Sequence, residues 1–280
     1  MTHSSKAQSA DSKIANDTAL VLTAAVLLFM ALLAPRVAAA KDGGTEKLAR
    51  GIELIEATLD AHGGLDTWHD YSSLSYRMVG FPLTPAVAEP SLSRVDLKHR
   101  RNRIESAGYT VGWNGQQAWV TPEPEAVGLP PRFYSLGSFY FIGMPFVFAD
   151  PGVVLEEVGE RSFRGEAYRV LRASYVSGVG HSDRDDYFLY LDKEDHRLAL
   201  IDHSVTETGV ERVTWTFDEW QERGGLLVPA VMTFFPGAPA DQPAADGARF
   251  TIEDYEPSRS TADASIYDPP SGAVITTDLR

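Results

Sequence analysis

Phe139-Tyr140-Phe141-Ile142-Gly143-Met144-Pro145-Phe146-Val147-Phe148-Ala149-Asp150-Pro151-Gly152 sits mid-chain, apolar for most of its first two-thirds and stopped by two prolines and a glycine. On both sides the sequence alternates polar with apolar residues in short runs broken by turn residues, the pattern of antiparallel strands that bury one face. The approach from Pro131 through Phe133, Leu136, Tyr140 and Phe141 to Met144 keeps to one broad helical face. Pro145 ends it, because the residue before a proline is pushed out of the helical region. One buried segment among many strands reads as a plug, a short apolar helix in or across the mouth of a curved sheet.

Strands are expected at 72–81, 94–100, 109–113 and 117–120 before the plug, and at 153–158, 168–175, 185–191, 198–205, 211–220, 226–235 and 249–255 after it. Asn114-Gly115 joins the third and fourth, and this dipeptide is the strongest short hairpin signal a sequence offers. Arg164-Gly165, residues 192–195, Gly209, Gly224-Gly225 and Gly237 space the later strands at hairpin intervals. About eleven strands in meander order make a sheet too large to stay flat. The expected class is therefore α+β: an incomplete, strongly curved antiparallel β-barrel. A helical period over 43–71, with Leu48, Ile52, Ile55, Leu59 and Leu65 on one face, adds an N-terminal helix that Gly63-Gly64 stops. Residues 236–247 read as a loop, and the tail after Pro257 carries little periodicity.

The 280 residues are 44% hydrophobic and 23% charged, ordinary values for a globular chain. A net charge of −14 disfavours a nucleic-acid surface, since phosphates would be repelled. The absence of cysteine removes disulfides, thiolate metal sites and a cysteine nucleophile together. Residues 1–40 have the layout of an export signal: a polar leader with Lys6 and Lys13, an uncharged run over 18–35, then Val37-Ala38-Ala39-Ala40. The apolar heart at 19–33 is short for a membrane span. The expectation is a signal peptide at 1–40 and one domain at 41–280 in the periplasm, with an uncleaved N-terminal anchor as the alternative.

Little in the sequence points to catalysis. Gly-x-Ser-x-Gly, His-Glu-x-x-His and phosphate-cradling glycine loops are all missing. His181-Ser182-Asp183-Arg184-Asp185-Asp186 offers three carboxylates and an imidazole to a hard cation, but lacks the spaced glycine and distal glutamate of a calcium loop. A charged hairpin tip is the plainer reading. His62 and His69, with Asp66 or Asp70, are likewise better read as a helix end, where an imidazolium is favourable, with Trp68 packed under the turn. The run Lys98-His99-Arg100-Arg101 and Arg103 reads as a solvated strand end, and Asp192, Asp195, His196, Asp202 and His203 as a turn and a strand's outer face. No metal or cofactor is expected.

What stands out is aromatic content, with 5 Trp, 11 Tyr and 13 Phe, many at alternate strand positions. A sheet this curved encloses more space than one short helix fills, so an apolar ligand cavity is physically reasonable. Its expected lining is Trp119, Phe139, Tyr140, Phe141, Met144 and Phe146.

Several stretches carry a family resemblance. Ala61-His62-Gly63-Gly64-Leu65-Asp66-Thr67-Trp68, the hairpin Val111-Gly112-Trp113-Asn114-Gly115-Gln116-Gln117-Ala118-Trp119, and Gly225-Leu226-Leu227-Val228-Pro229 before a strand resemble the outer-membrane lipoprotein-sorting superfamily typified by LolA and LolB. The plug and residues 170–190 are similar to an uncharacterised branch of Lol-like periplasmic proteins. The resemblance implies an incomplete barrel around an apolar cavity that takes a lipid or the acyl chains of a lipoprotein, with transient contacts to membrane or envelope proteins. The arginine that typical carriers use near the cavity matches no single position among Arg94, Arg100, Arg101 and Arg103. The functional expectation is a non-enzymatic periplasmic carrier. An envelope scaffold with a self-filled barrel, or a hydrolase with an unrecognised triad, are the alternatives.

Overall fold

The computed structural model describes residues 42–177, 184–206, 209–241 and 246–276. The chain divides into units at 1–47 and 48–280. The first is described only at 42–47, where helix α1 (Asp42–Ala61) begins. In the second, α2 (Leu65–Asp70) follows, then β1 (Ser73–Val79), a one-turn α3 (Pro85–Ala88), β2 (Ser91–Asp96), β3 (Arg101–Ser106), β4 (Thr110–Trp113) and β5 (Ala118–Thr121). The plug helix α4 (Pro131–Ile142) leads into a 3₁₀ turn at Phe146–Ala149. After it come β6 (Val153–Phe163), β7 (Glu166–Tyr175), β8 (Tyr187–Leu191), β9 (Leu198–Val205), β10 (Val210–Arg223), β11 (Leu226–Pro236), β12 (Ala248–Ser258) and β13 (Val274–Thr276).

All described strands join one antiparallel sheet in the order β13-β5-β4-β3-β2-β1-β12-β11-β10-β9-β8-β7-β6. Two meanders, β1–β5 and β6–β12, are thus stitched together by the β1–β12 pair, and the plug is the connection between them. The ends β13 and β6 are not paired, so the sheet is open rather than closed. α4 packs on β3, β4 and β5, while its Phe141 ring lies 5.5 Å from His203 on β9 and 4.8 Å from Trp215 on β10. Strands β5 and β9 are eight places apart in the order, about 38 Å across a flat sheet at ~4.8 Å per strand. A helix about 10 Å thick touches both only because the sheet wraps around it.

Thirteen strands replace the expected eleven. The run 94–100 is not one strand: β2 ends at Asp96, residues 97–100 turn, and Arg100 takes a positive φ of 54° before β3 starts. Strand β13 was hidden in the aperiodic tail and pairs with β5 through Ile275 and Trp119. In α1 the buried face drifts off the expected one: Leu54, Ile55, Thr58 and Leu59 go inside, as does His62 just past the helix end, whereas Leu48 and Ile52 are exposed.

The motifs behind the family resemblance have structural causes. Gly63 has φ 106°, and a Cβ there would lie 2.0 Å from the Gly225 carbonyl oxygen. The Leu227 amide donates to the His62 carbonyl at 3.0 Å beside it. The helix end and the β11 start are therefore one joint. In the β4–β5 hairpin, Asn114 Oδ1 accepts from the amides of Gln116 and Gln117, and Gly115 supplies φ 97°.

Candidate functional site

The plug is fixed by polar contacts as well as by packing. Pro131 opens α4 at a position where a backbone N–H would find no intrahelical acceptor, so its missing N–H costs nothing. The Gly143 amide donates to the Phe139 carbonyl at its end, 2.8 Å away. Asn102 on β3 donates through Nδ2 to the Ser135 carbonyl. Tyr109 and Tyr134 share a hydroxyl contact at 3.1 Å, and Ser138 Oγ donates to the Tyr134 carbonyl at 2.7 Å. Beyond the 3₁₀ turn, Arg100 clasps both oxygens of Asp150 at 2.7 and 2.9 Å. Trp68 stacks on Phe146 at 4.7 Å with the ring planes 5° apart, so the α2 tryptophan lies against the plug.

Between α4 and the strands facing it lies a cavity of about 260 Å³. Its walls are almost entirely carbon: Phe81, Leu83 and Leu129 on one side, Val205, Val213, Trp215 and Phe234 on another, and Phe133, Gly137 and Phe141 from α4. Positions 133, 137 and 141 recur at one helical face. A Cβ built on Gly137 meets nothing within 4 Å, so the missing side chain is part of the open space.

One imidazole lines this cavity. His203 is buried, stacks on Tyr187 at 4.9 Å with 3° between planes, and accepts at Nε2 from Trp215 Nε1 at 3.1 Å. An indole N–H only donates, so Nε2 carries no proton and Nδ1–H donates to the Ser204 carbonyl at 2.9 Å. Burial pushes the imidazole pKa down to about 4, against the opposing pull of the Ser204 carbonyl and Asp185. The ring is neutral at pH 7 and both nitrogens are taken. The Tyr134 hydroxyl, held by Tyr109, is pushed well above its ordinary range by burial. The wall thus presents neutral groups whose hydrogen bonds are already made within the protein.

Of the six residues expected to line a cavity, Phe141 does so. Phe139, Met144 and Phe146 are buried in the main core, and Tyr140 packs against Phe148 and Tyr187 at 5.9 and 5.4 Å. Trp119 lies on the other face of the sheet. Its indole donates to the Tyr267 carbonyl at 2.8 Å, its ring fills the space above Gly112, and the Arg103 guanidinium covers it at 5.5 Å. A strand shows opposite faces at successive residues, and here Val120, not Trp119, points inward.

Two histidine readings need correction. His203 faces the cavity rather than solvent. His62 is buried and pushed down to about 4 by that burial, which outweighs the Thr58 carbonyl it contacts through Nδ1 at 2.7 Å. It is therefore neutral, not a charged helix cap. Residues 181–183 of the suspected cation cluster lie outside the described residues. Asp185 accepts from Ser204 Oγ at 3.2 Å and the Thr206 amide at 2.8 Å, and Asp186 accepts from Arg172 at 2.8 Å. Among the described residues no group of three or more His, Asp or Glu is placed to hold a metal ion. Nor is any described helix long and apolar enough to cross a membrane. His203, Trp215 and Gly137 are the site residues that sequence reasoning missed.

No protein-family model matches this chain, and no curated protein does. The chain is similar to a LolA superfamily protein from Nitrosomonas europaea, at 12% identity over 78% of this chain and 97% of that one, with a TM-score of 0.49. It is similar to a DUF1329 family protein from Desulfovibrio piger at 11% identity over 78% and 96% of the two chains, TM-score 0.45. A domain assigned to outer membrane lipoprotein sorting from Vibrio parahaemolyticus matches at 11% identity over 78% and 96%, TM-score 0.41.

Proposed function

We propose that this protein is a non-enzymatic periplasmic binding protein that takes a hydrophobic ligand between α4 and strands β9–β11. The observation that carries this reading is the carbon-lined cavity of about 260 Å³ beneath Gly137. The polar groups of its wall, His203 and Tyr134, have their hydrogen bonds made within the protein. Such a wall offers a polar ligand little to bind and favours hydrocarbon. It also has no general base, since the one imidazole is neutral with both nitrogens engaged. The cavity is just below the ~300–1,000 Å³ usual for ligand sites. One short chain, or one end of a longer one, fits it better than several acyl chains at once. The export assignment rests on the order of charged, apolar and small residues over 1–40.

The second reading, an envelope scaffold whose barrel is filled by its own side chains, draws support from the burial of Phe139, Met144 and Phe146 in the core. Gly137→Leu separates the two. The added side chain occupies the cavity, and replacing a mid-helix glycine does not cost helix stability. Titration with N-phenyl-1-naphthylamine, with thermal unfolding alongside, is expected to give saturable uptake by the natural chain. In the variant, affinity falls tenfold or more while the melting temperature holds or rises. A natural chain that takes up no probe, or a variant that binds equally well, refutes the binding reading.

A further inference from the structure

The opposite face of the sheet carries a second hydrophobic cluster, Phe163, Val170, Tyr190, Leu200 and Phe235, separate from the main core. It exists because the tip of the β6–β7 hairpin bends back over β9–β11, bringing the Phe163 ring to 6.0 Å from Phe235, edge to face. Beneath this tip is a cavity of about 440 Å³, larger than the inner one and within the range of ligand sites. Its floor and walls are Leu200, Phe163, Tyr168 and Phe235, and its rim carries the carboxylates of Glu166, Asp218 and Asp246 together with the guanidiniums of Arg164 and Arg249.

Two features set the chemistry of an occupant. The aromatic wall already accepts a cation: the Arg164 guanidinium sits 4.8 Å from the Phe235 centroid and 5.4 Å from that of Phe163. Ring faces attract cations at these distances. The rim carries three carboxylates against two guanidiniums, a small acidic excess. Arg249 is paired with Glu219 at 2.5 Å, and among the described residues no lysine or arginine is paired with Glu166, Asp218 or Asp246. Asp218 accepts from Thr216 Oγ1 at 2.9 Å, which orients its carboxylate without neutralising it. The Tyr168 phenol is pushed up by burial and then by the charges of Glu166, Asp192 and Asp218, consistent with a negative field at that wall.

We infer that this outer groove is a second binding site, for a small organic cation with a flat apolar body, of the amidinium or ammonium class. The body displaces the exposed Arg164 side chain from the Phe163 and Phe235 rings, and the charge meets Asp218 and Glu166. Because the groove and the inner cavity are on opposite faces of the sheet, the two sites stand or fall separately.

The test is titration of the full chain with benzamidinium, and with neutral benzamide as its isostere, followed by calorimetry and amide chemical shifts. Saturable benzamidinium binding is expected, weakening with added salt, with shifts at Tyr168 and Thr216 and benzamide at least tenfold weaker. The double variant Glu166→Gln, Asp218→Asn, at two exposed positions, is expected to lose tenfold or more in affinity with its melting temperature unchanged, whereas Gly137→Leu binds normally. Absence of saturable binding, equal affinity for benzamide, shifts confined to other residues, or an unaffected double variant each overturn the proposal.

Discussion

His203→Gln is expected to make the protein less sensitive to acid. The structure holds the imidazole neutral with a pKa of about 4, whereas its ordinary value is 6.5. Burial is the leading cause. Since the folded pKa is the lower one, the unfolded chain binds the proton first, and stability is lost as pH falls. The loss begins near 6.5, runs at about 1.4 kcal/mol per pH unit, and levels off below about 4. Over the whole window it amounts to about 3 kcal/mol, and between pH 7.5 and 4.5 to about 2.5 kcal/mol. That is a large share of the roughly 5–15 kcal/mol that stabilises a typical domain. Glutamine keeps an acceptor near Trp215 Nε1 but does not titrate. Urea unfolding of both proteins at the two pH values gives the answer as a difference of differences. His62, also held at about 4, and all carboxylates contribute equally to both proteins and cancel. The natural chain's advantage over the variant at pH 7.5 is expected to shrink by about 2.5 kcal/mol at pH 4.5. A constant difference, or a His203 resonance titrating near 6.5, would refute the buried neutral imidazole and with it the dry cavity wall.

Gly112→Ala places a Cβ 2.5 Å from Trp119 Cζ2 and is expected to cost about 1–3 kcal/mol in urea unfolding through overpacking. Gly63→Ala combines a φ of 106° with a Cβ 2.0 Å from a backbone oxygen, so the α1–β11 joint is broken and the variant is expected to be recovered only in insoluble form. Arg101→Ala removes the guanidinium from Asp96, a carboxylate 1% exposed. A loss of about 3 kcal/mol is expected at pH 7. Burial alone would raise the Asp96 pKa, but Arg101 and His99 together hold it below the ordinary carboxylate range. The stability this contributes is present above pH 4 and is lost as pH falls further, so the penalty of the variant is expected to fade on acidification below pH 4.

The strands were readable where one face is wet and one dry. In β1, burial alternates strictly from Ser73 to Val79, and there the sequence pattern and the strand agree to within two residues. Turn chemistry placed the Asn114-Gly115 hairpin for the same reason: its glycine takes the positive φ that the turn needs. The miss at 94–103 came from charge. Arg94, Arg101 and Arg103 lie in one register patch, with Asp96 and Glu105 between them. A run of basic residues that looks like one solvated strand end is in fact two strands exchanging ion pairs across a tight turn. Neither β13 nor the covering of Trp119 by Tyr267 was accessible to local pattern, because both depend on contacts well over a hundred residues away in the chain.

The cavity itself was harder to read, and β9 explains why. Alternation locates an inner face only when the outer face is polar, but here Leu200 is buried in the outer cluster while Ile201 is buried in the main core. With both faces apolar, the parity that sends His203 inward beside Ile201 and Asp202 outward to Arg212 leaves no signature in the sequence. The two faces are dry because the sheet curls twice, once around α4 and once where the β6–β7 tip folds back. The feature that makes a second cavity thus also hid the orientation of the residues lining the first. Phe141 was identified because a helix declares its face over three turns. Gly137 escaped because empty space is marked by a side chain that is missing. In a mid-helix position where no neighbour approaches within 4 Å, close packing does not account for glycine, whose conformational freedom disfavours a helix. Filling the space with leucine therefore tests the proposed binding and the stability in one substitution.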